Sequence, residues 1–314
     1  MLRQRLFFGA VLIAILLGLI YADARLSVAA AAGRLPPLFG QLALQTCDGL
    51  IITGVLVLLV ILGPRELHRL FTAAGHAPLL GWPVAVNIGL VLLAFHAGNS
   101  STNGRFHESA EDYHLTVIWL TLALFGAALL VARRRKTDQA IGDISASLLM
   151  VFYLGLLPQF LVRIRLAHPV AGVWLLLYFL GVVKLCDIGA YFTGRSLGKH
   201  KLIEWLSPKK TVEGLLGGIG ASVILALLIS VLVHQLADPG SPLRDIFPRP
   251  GWAAVFGAAM AVVGQAGDLL ESLFKRDAGA KDSADAVPAF GGVLDILDSP
   301  LLAAPIAYWL LLQY

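Results

Sequence analysis

Charge is scarce in this sequence. Only 14% of its 314 residues are Asp, Glu, Lys or Arg, where a soluble domain carries about 25%. Cysteine is nearly absent. Cys47 and Cys186 supply neither a disulfide framework nor zinc-ligand spacing, and both read as packing residues in or beside apolar segments. No long low-complexity stretch and no fixed-period repeat is present. The formal net charge of +4 raises the question of nucleic acid, but the cations are not gathered into a stripe. They stand in short loops between apolar runs, as membrane topology requires, so nucleic acid is excluded as a partner.

What fills the chain is apolar sequence: 58% of residues are hydrophobic, and the mean hydropathy is +0.79. Runs long enough to cross a hydrocarbon core about 30 Å thick predict an all-α, polytopic transmembrane bundle. Nine spans are expected, roughly 5–22, 48–64, 78–97, 115–132, 144–164, 169–193, 212–234, 252–270 and 292–312. The second is short for a span. Arg3 and Arg5 before the run Leu6 to Ile20 resemble a signal peptide, with Ala22-Asp23-Ala24 as a cleavage candidate. Because further spans follow, an uncleaved first helix is the simpler reading.

A cytoplasmic N-terminus places Arg65, Arg69, Arg133 to Lys136, Lys199 to Lys210 and Lys275 to Lys281 inside, with the polar loop Asn99 to His114 outside. Arg163 and Arg165 fall on the wrong side. Residues 1–140 read as a transmembrane scaffold, and residues 141–314 hold nearly all the suggestive polar groups. Gly214, Gly217, Gly218 and Gly220 open the seventh span with small-residue spacing that lets helices approach closely, and Pro305 predicts a kink in the last span.

The chemistry is concentrated between Asp268 and Asp298. Asp268, Ser272 and Lys275 recur at i, i+4 and i+7, so they share a helix face. Arg276, Lys281 and Asp282 follow, then Asp295 and Asp298 at i and i+3 on the opening turns of the last span. A carboxylate inside a span costs about 2.5–3.5 kcal/mol on the insertion scale. A single acid at a span end reads as a boundary residue; alternating acids and bases around two span ends suit a hard divalent ion, Mg²⁺ above all, with anionic phosphates.

A second constellation lies on the sixth span and the loop after it. Asp187 and Tyr191 are one turn apart, with Gly194 and Arg195 continuing the face. In the loop, Ser207 as N-cap and Pro208 at the first helical position predict a helix start. Its free amides, with Lys209 and Lys210, would bind an anion. By itself this stretch reads somewhat better as an ordinary positive-inside loop on acidic lipids; lying on the same cytoplasmic side as the first cluster favours the functional reading.

The runs 187–195, 198–202 and 207–214, followed by Ser272-x-x-Lys275-Arg276, Lys281-Asp282, a Pro-x-x-Gly-Gly turn and two aspartates, together resemble the phosphatidate cytidylyltransferases. The likeness runs from about Val151 to Pro305. It implies an integral membrane enzyme of phospholipid biosynthesis, in a bacterial-type plasma membrane with its site facing the cytoplasm. Such an enzyme condenses CTP with phosphatidate and requires Mg²⁺; membrane lipids and a second copy of the chain are further candidate partners. By position, Asp268, Asp282, Asp295 and Asp298 become candidate metal ligands. Lys275, Arg276 and Lys281 would hold phosphates; Asp187, Tyr191, Ser207, Lys209, Lys210 and Ser272 would line the substrate site. Phe290 and Ile296 stand where the family usually has His and Arg, which reads as a divergent active branch. The alternatives are a related membrane kinase or nucleotidyltransferase acting on a polyprenyl-type lipid, and a secondary transporter with ion-carrying intramembrane acids.

Overall fold

In hydrocarbon every backbone polar group has to be paired within its own segment, and long apolar runs therefore become helices. The computed structural model describes residues 2–32, 48–100, 110–135, 137–169, 171–280 and 291–311. Among these residues nine helices or helical runs are long and apolar enough to cross a membrane, and the chain is an integral membrane protein. Exposed apolar side chains, such as Ile13 and Phe125, are what lipid-facing surfaces carry.

The chain divides into two units, Met1–Val173 with Asp277–Asp295, and Trp174–Arg276 with Ile296–Tyr314. The first holds α1 (Leu2–Ala31), α2 (Leu50–Ala73), α3 (Gly81–Ser100), α4 (Ala110–Ala132), α5 (Ala140–Val151) and α6 (Gln159–Leu166). The second span is not short: α2 continues through Pro64 to Ala73 over 24 residues, because a proline inside a membrane helix is tolerated where neighbours fill in around it. The fifth span is broken instead. A π turn, Phe152–Leu156, separates α5 from α6, immediately before Pro158, whose ring nitrogen has no hydrogen to give the helix.

Helices α3 and α4 exchange tryptophans. The Trp82 indole donates to the Ala123 carbonyl and the Trp119 indole to the Val86 carbonyl, each at 3.0 Å. Each ring lies where a Cβ on the opposite helix would be, at Gly126 and Gly89 respectively, so the two glycines are the sockets of this contact. Nearby, Arg165 and Asp23 form a wholly buried ion pair at 2.6 Å. Arg165 also donates to Ser27 Oγ and to the Pro169 carbonyl. The second Asp23 oxygen accepts the Ile51 and Ile52 amides at the start of α2. The two arginines that break the sequence charge count are thus not loop cations: Arg165 is neutralised by Asp23, and Arg163 is buried against the Phe160 ring. Ala22-Asp23-Ala24 lies within α1.

The second unit holds α7 (Gly172–Leu197) in all but its first two residues, a hairpin of β1 (Lys201–Ile203) and β2 (Ser207–Thr211), α8 (Val212–Leu236), the short α9 (Pro242–Ile246), α10 (Pro250–Asp277) in all but its last residue and α11 (Leu294–Leu311) in all but its first two. The small residues of α8 meet α7: a Cβ at Gly214, Gly217 or Gly218 would run into Ala190, Thr193 or Cys186. Gly220 departs from that expectation, since its Cβ position faces open space. Ser222 Oγ donates to the Val182 carbonyl at 2.9 Å, tying α8 to α7. Cys186 is buried, and Cys47 lies outside the described residues. Helix α11 runs through both Pro300 and Pro305.

Candidate active site

The hairpin corrects the expected helix start. Ser207 and Pro208 belong to β2, paired antiparallel with β1, and the N-cap of α8 is Thr211, whose hydroxyl accepts the Gly214 amide at 3.1 Å. Pro208 suits an edge strand, where its missing N–H costs no ladder bond, and the two-residue pairing of 201–203 with 207–211 takes the backbone that a helical first turn would have used. Glu213 closes the base of the hairpin, accepting the Lys199 and His200 amides at 3.1 and 3.2 Å and contacting His200 Nδ1 at 2.6 Å. The hairpin thereby presents Lys209 and Lys210 to a cavity of about 390 Å³. Ser207 is not among the residues lining it.

Helix α7 supplies one wall of this cavity through Asp187, Tyr191, Gly194 and Arg195, the face that the sequence spacing singles out. Arg195 donates to the Tyr191 hydroxyl at 2.9 Å. Helix α10 supplies Gln265 and Asp268. Lys210 reaches Asp268 at 2.6 Å, so the hairpin and α10 are joined at the cavity by an ion pair.

Asp268 also belongs to the one group of three or more potential metal ligands among the described residues: Asp268, Glu271 and Asp298 each place a carboxylate oxygen within 4.8 Å of the others. Glu271 and Asp298 are buried. What lets α11 come this close is Gly267, where a Cβ would strike the Asp298 carbonyl. Two helices thus converge backbone to backbone beside the carboxylates they carry.

Each of three acids in this unit has a lysine. Lys210 pairs with Asp268, Lys275 with Glu271 at 3.0 Å, and Lys184 with Asp187 at 3.4 Å. Asp298 has no ion-pair partner among the described residues; its Oδ1 accepts the Ser299 amide and hydroxyl at 2.6 and 3.1 Å. With four acids against three lysines, the set is therefore one positive charge short of balance before any ligand arrives. Three oxygen donors from two helices, two of them buried, fit a hard divalent cation of the Mg²⁺ or Mn²⁺ kind and offer nothing to a soft one.

The remaining expectations distribute as follows. Asp295 is not a member of the carboxylate group; its Oδ2 accepts the Gly292 amide at 2.7 Å, at the entry to α11. The adjoining Val293 and Leu294 amides donate to Glu66 of α2 at 2.9 and 3.0 Å. Arg276 donates to the Leu206 carbonyl at 3.4 Å, bracing the hairpin. Ser272 neither lines the cavity nor joins the carboxylates. Lys281, Asp282 and Phe290 lie outside the described residues. Sequence spacing missed Glu271, Gln265 and Lys184. The first two lie three residues either side of Asp268 and Lys184 three before Asp187, so i±3 spacing on the same helices marks all three.

Residues 38–314 match the model of the cytidylyltransferase family. The phosphatidate cytidylyltransferase of Synechocystis sp. is 33% identical over 294 residues, 85% of this chain and 90% of the relative. The Haemophilus influenzae protein of the same name is 33% identical, covering 73% of this chain and 79% of its own. That of Bacillus subtilis is 37% identical, covering 61% and 68%.

Proposed function

The chain belongs to the cytidylyltransferase family, and on that premise we propose that it condenses CTP with phosphatidate, giving CDP-diacylglycerol and pyrophosphate. The observation that carries the assignment to a site is the meeting of Asp268, Glu271 and Asp298 beside a cavity lined by Lys209, Lys210 and Arg195. Acids for a cation and bases for phosphates are what this reaction requires in one place.

In the reaction an oxygen of the lipid phosphomonoester attacks the α-phosphorus of CTP. The bond to the bridging oxygen breaks, and pyrophosphate departs with the electron pair. A phosphomonoester has its second pKa near about 6, so the nucleophile is already ionised and no protein base is needed. The work left to the protein is positioning and charge neutralisation. Lys209, Lys210 and Arg195 take the nucleotide phosphates at the hairpin end of the cavity. Asp187, Tyr191 and Gln265 line its inner wall and orient the groups between them. Lys275 holds Glu271 in place, and Gly267 keeps the α10 and α11 backbones close enough for the carboxylates to act together.

Asp268, Glu271 and Asp298 would hold Mg²⁺, which supplies charge neutralisation on the triphosphate and stabilises the leaving pyrophosphate. Lys210, paired with Asp268 and lining the cavity, would be free to turn towards phosphate if the acids held the cation. Soluble CTP meets a membrane-held acceptor only at an interface, and the cation distribution in the loops supports a cytoplasmic setting for the hairpin.

Purified protein supplied with CTP, phosphatidate and Mg²⁺ releases pyrophosphate and a CDP-lipid identified by mass. Absence of turnover across a panel of lipid phosphates would sink the proposal. A phosphorylated alcohol in place of the CDP-lipid would move the chain to a kinase reading.

A further inference from the structure

Lys184 is out of place for a residue with only a structural task. It stands at the middle of the 26-residue helix α7, inside a span whose mean hydropathy is 1.8, and an ammonium at such a position is unfavourable on its own. Yet its side chain is 42% exposed, so it is not folded away. Among the described residues its one hydrogen-bond partner is Asp187 Oδ2, at 3.4 Å, a long contact for a charge-assisted bond. Asp187 in turn does not depend on Lys184 alone, since its Oδ1 is within 3.4 Å of Gln265 Nε2.

Its place along α7 is equally specific. The helix meets the hairpin near its end, where Gly194 approaches Thr211. From there the cavity runs back along Tyr191 and Ala190 to Asp187, and Lys184 lies almost one turn further from the hairpin. The hairpin lysines line one end of the cavity. Lys184 is not among its lining residues; it lies beyond Asp187 at the other end, at the middle of the span.

We propose that Lys184 is the headgroup anchor of the lipid acceptor: it binds the phosphomonoester of phosphatidate as the lipid enters from the bilayer and positions it beside Asp187. This deepens, and rests on, the cytidylyltransferase reading. The two anionic substrates are thus divided between two groups of cations, Lys209 and Lys210 of the hairpin for the nucleotide and Lys184 of α7 for the lipid. Its ammonium has donors to spare for phosphate oxygens, and exchanging Asp187 for a dianion involves no change in the packing of α7.

The test is a kinetic split. Replacing Lys184 by Met or Gln raises the KM for phosphatidate in mixed micelles by about tenfold or more, the loss expected of one charge-assisted phosphate contact, while the KM for CTP stays within about twofold. Lys184→Arg recovers most of the lipid affinity because the charge is kept. Equal changes in both KM values, or a fall in kcat alone, would show that Lys184 merely holds Asp187 and would overturn the proposal. Should the neutral variants fail to fold, the wild-type protein still decides. Dioctanoyl phosphatidate, without CTP or metal, protects Lys184 from a membrane-permeant amine reagent as read by peptide mass spectrometry, and dioctanoylglycerol does not. Equal labelling with both lipids overturns the proposal. Wild type lacking all turnover while the protection persists would fault the reaction assignment and leave the anchor standing.

Discussion

Two sets of buried or half-buried charges divide the molecule, and they are built on opposite plans. In the first unit Asp23 and Arg165 are both fully buried and multiply bonded: one Asp23 oxygen takes Arg165, the other takes two helix-start amides, and Arg165 has three partners. In the second unit Asp187, Asp268 and Glu271 each pair with a lysine, and Asp298 pairs with none among the described residues. A buried, multiply bonded pair fixes helices and is closed to a ligand. An ion pair beside a cavity, such as Lys210 with Asp268, can exchange partners with a ligand that enters. Charge within a membrane bundle therefore does not by itself mark function; what marks it is whether the charges are open to a ligand.

The largest effect should come from breaking the fully buried pair. Asp23→Ala leaves Arg165 buried without its counter-charge and removes the cap of α2, which costs about 3–5 kcal/mol. Thermal unfolding in detergent should show this as a large loss of stability, and joint replacement of Asp23 and Arg165 by Leu and Met should recover much of it. Turnover per folded molecule should stay near that of the unaltered protein.

The reverse is expected in the second unit. Asp268→Asn or Asp298→Asn should lower kcat by about 10²–10³-fold with little change in unfolding temperature, measured on the same preparations. Activity that survives both replacements would remove these acids from the mechanism. Removing divalent metal with EDTA should abolish turnover, and Mg²⁺ should restore it at higher concentration in Asp268→Asn than in the unaltered protein.

Gly267→Ala falls between the two classes. The added methyl meets the Asp298 carbonyl, and overpacking of this kind costs about 1–3 kcal/mol. It should also displace α11 enough to reduce turnover, so stability and activity decline together. The smallest effect is expected from Thr211→Ala, which removes the α8 cap at about 1 kcal/mol. Hydrogen exchange should report it as faster opening of the first turn of α8.

Much of this was legible beforehand because long apolar runs and helical spacing are local properties. Nine spans follow from the length of the apolar runs, and the shared face of Asp187 and Tyr191 from periodicity within one helix; the meeting of Asp268 with Asp298 was expected from acids and bases gathered at two span ends. The hairpin was not legible, since Ser207-Pro208 is as good a helix start as it is an edge strand. Only pairing with Lys201–Ile203, a tertiary event, decides between them. Asp295 and Asp298 look alike in sequence, three residues apart on one helix. They separate because one sits at the helix entry, where the Gly292 amide needs an acceptor, and the other beside Gly267. Glu271 was hidden by its neighbours: in a run rich in charge, its complete burial is visible only once α10 is packed.

If Asp268, Glu271 and Asp298 form one cation site, Mn²⁺ binds the purified protein without nucleotide or lipid, as followed by electron paramagnetic resonance at equilibrium. Binding should be saturable, weakened at least about tenfold by Asp298→Asn and left unchanged by Asp23→Asn in protein that remains folded. Equal Mn²⁺ affinity in the unaltered protein and Asp298→Asn would contradict the shared site.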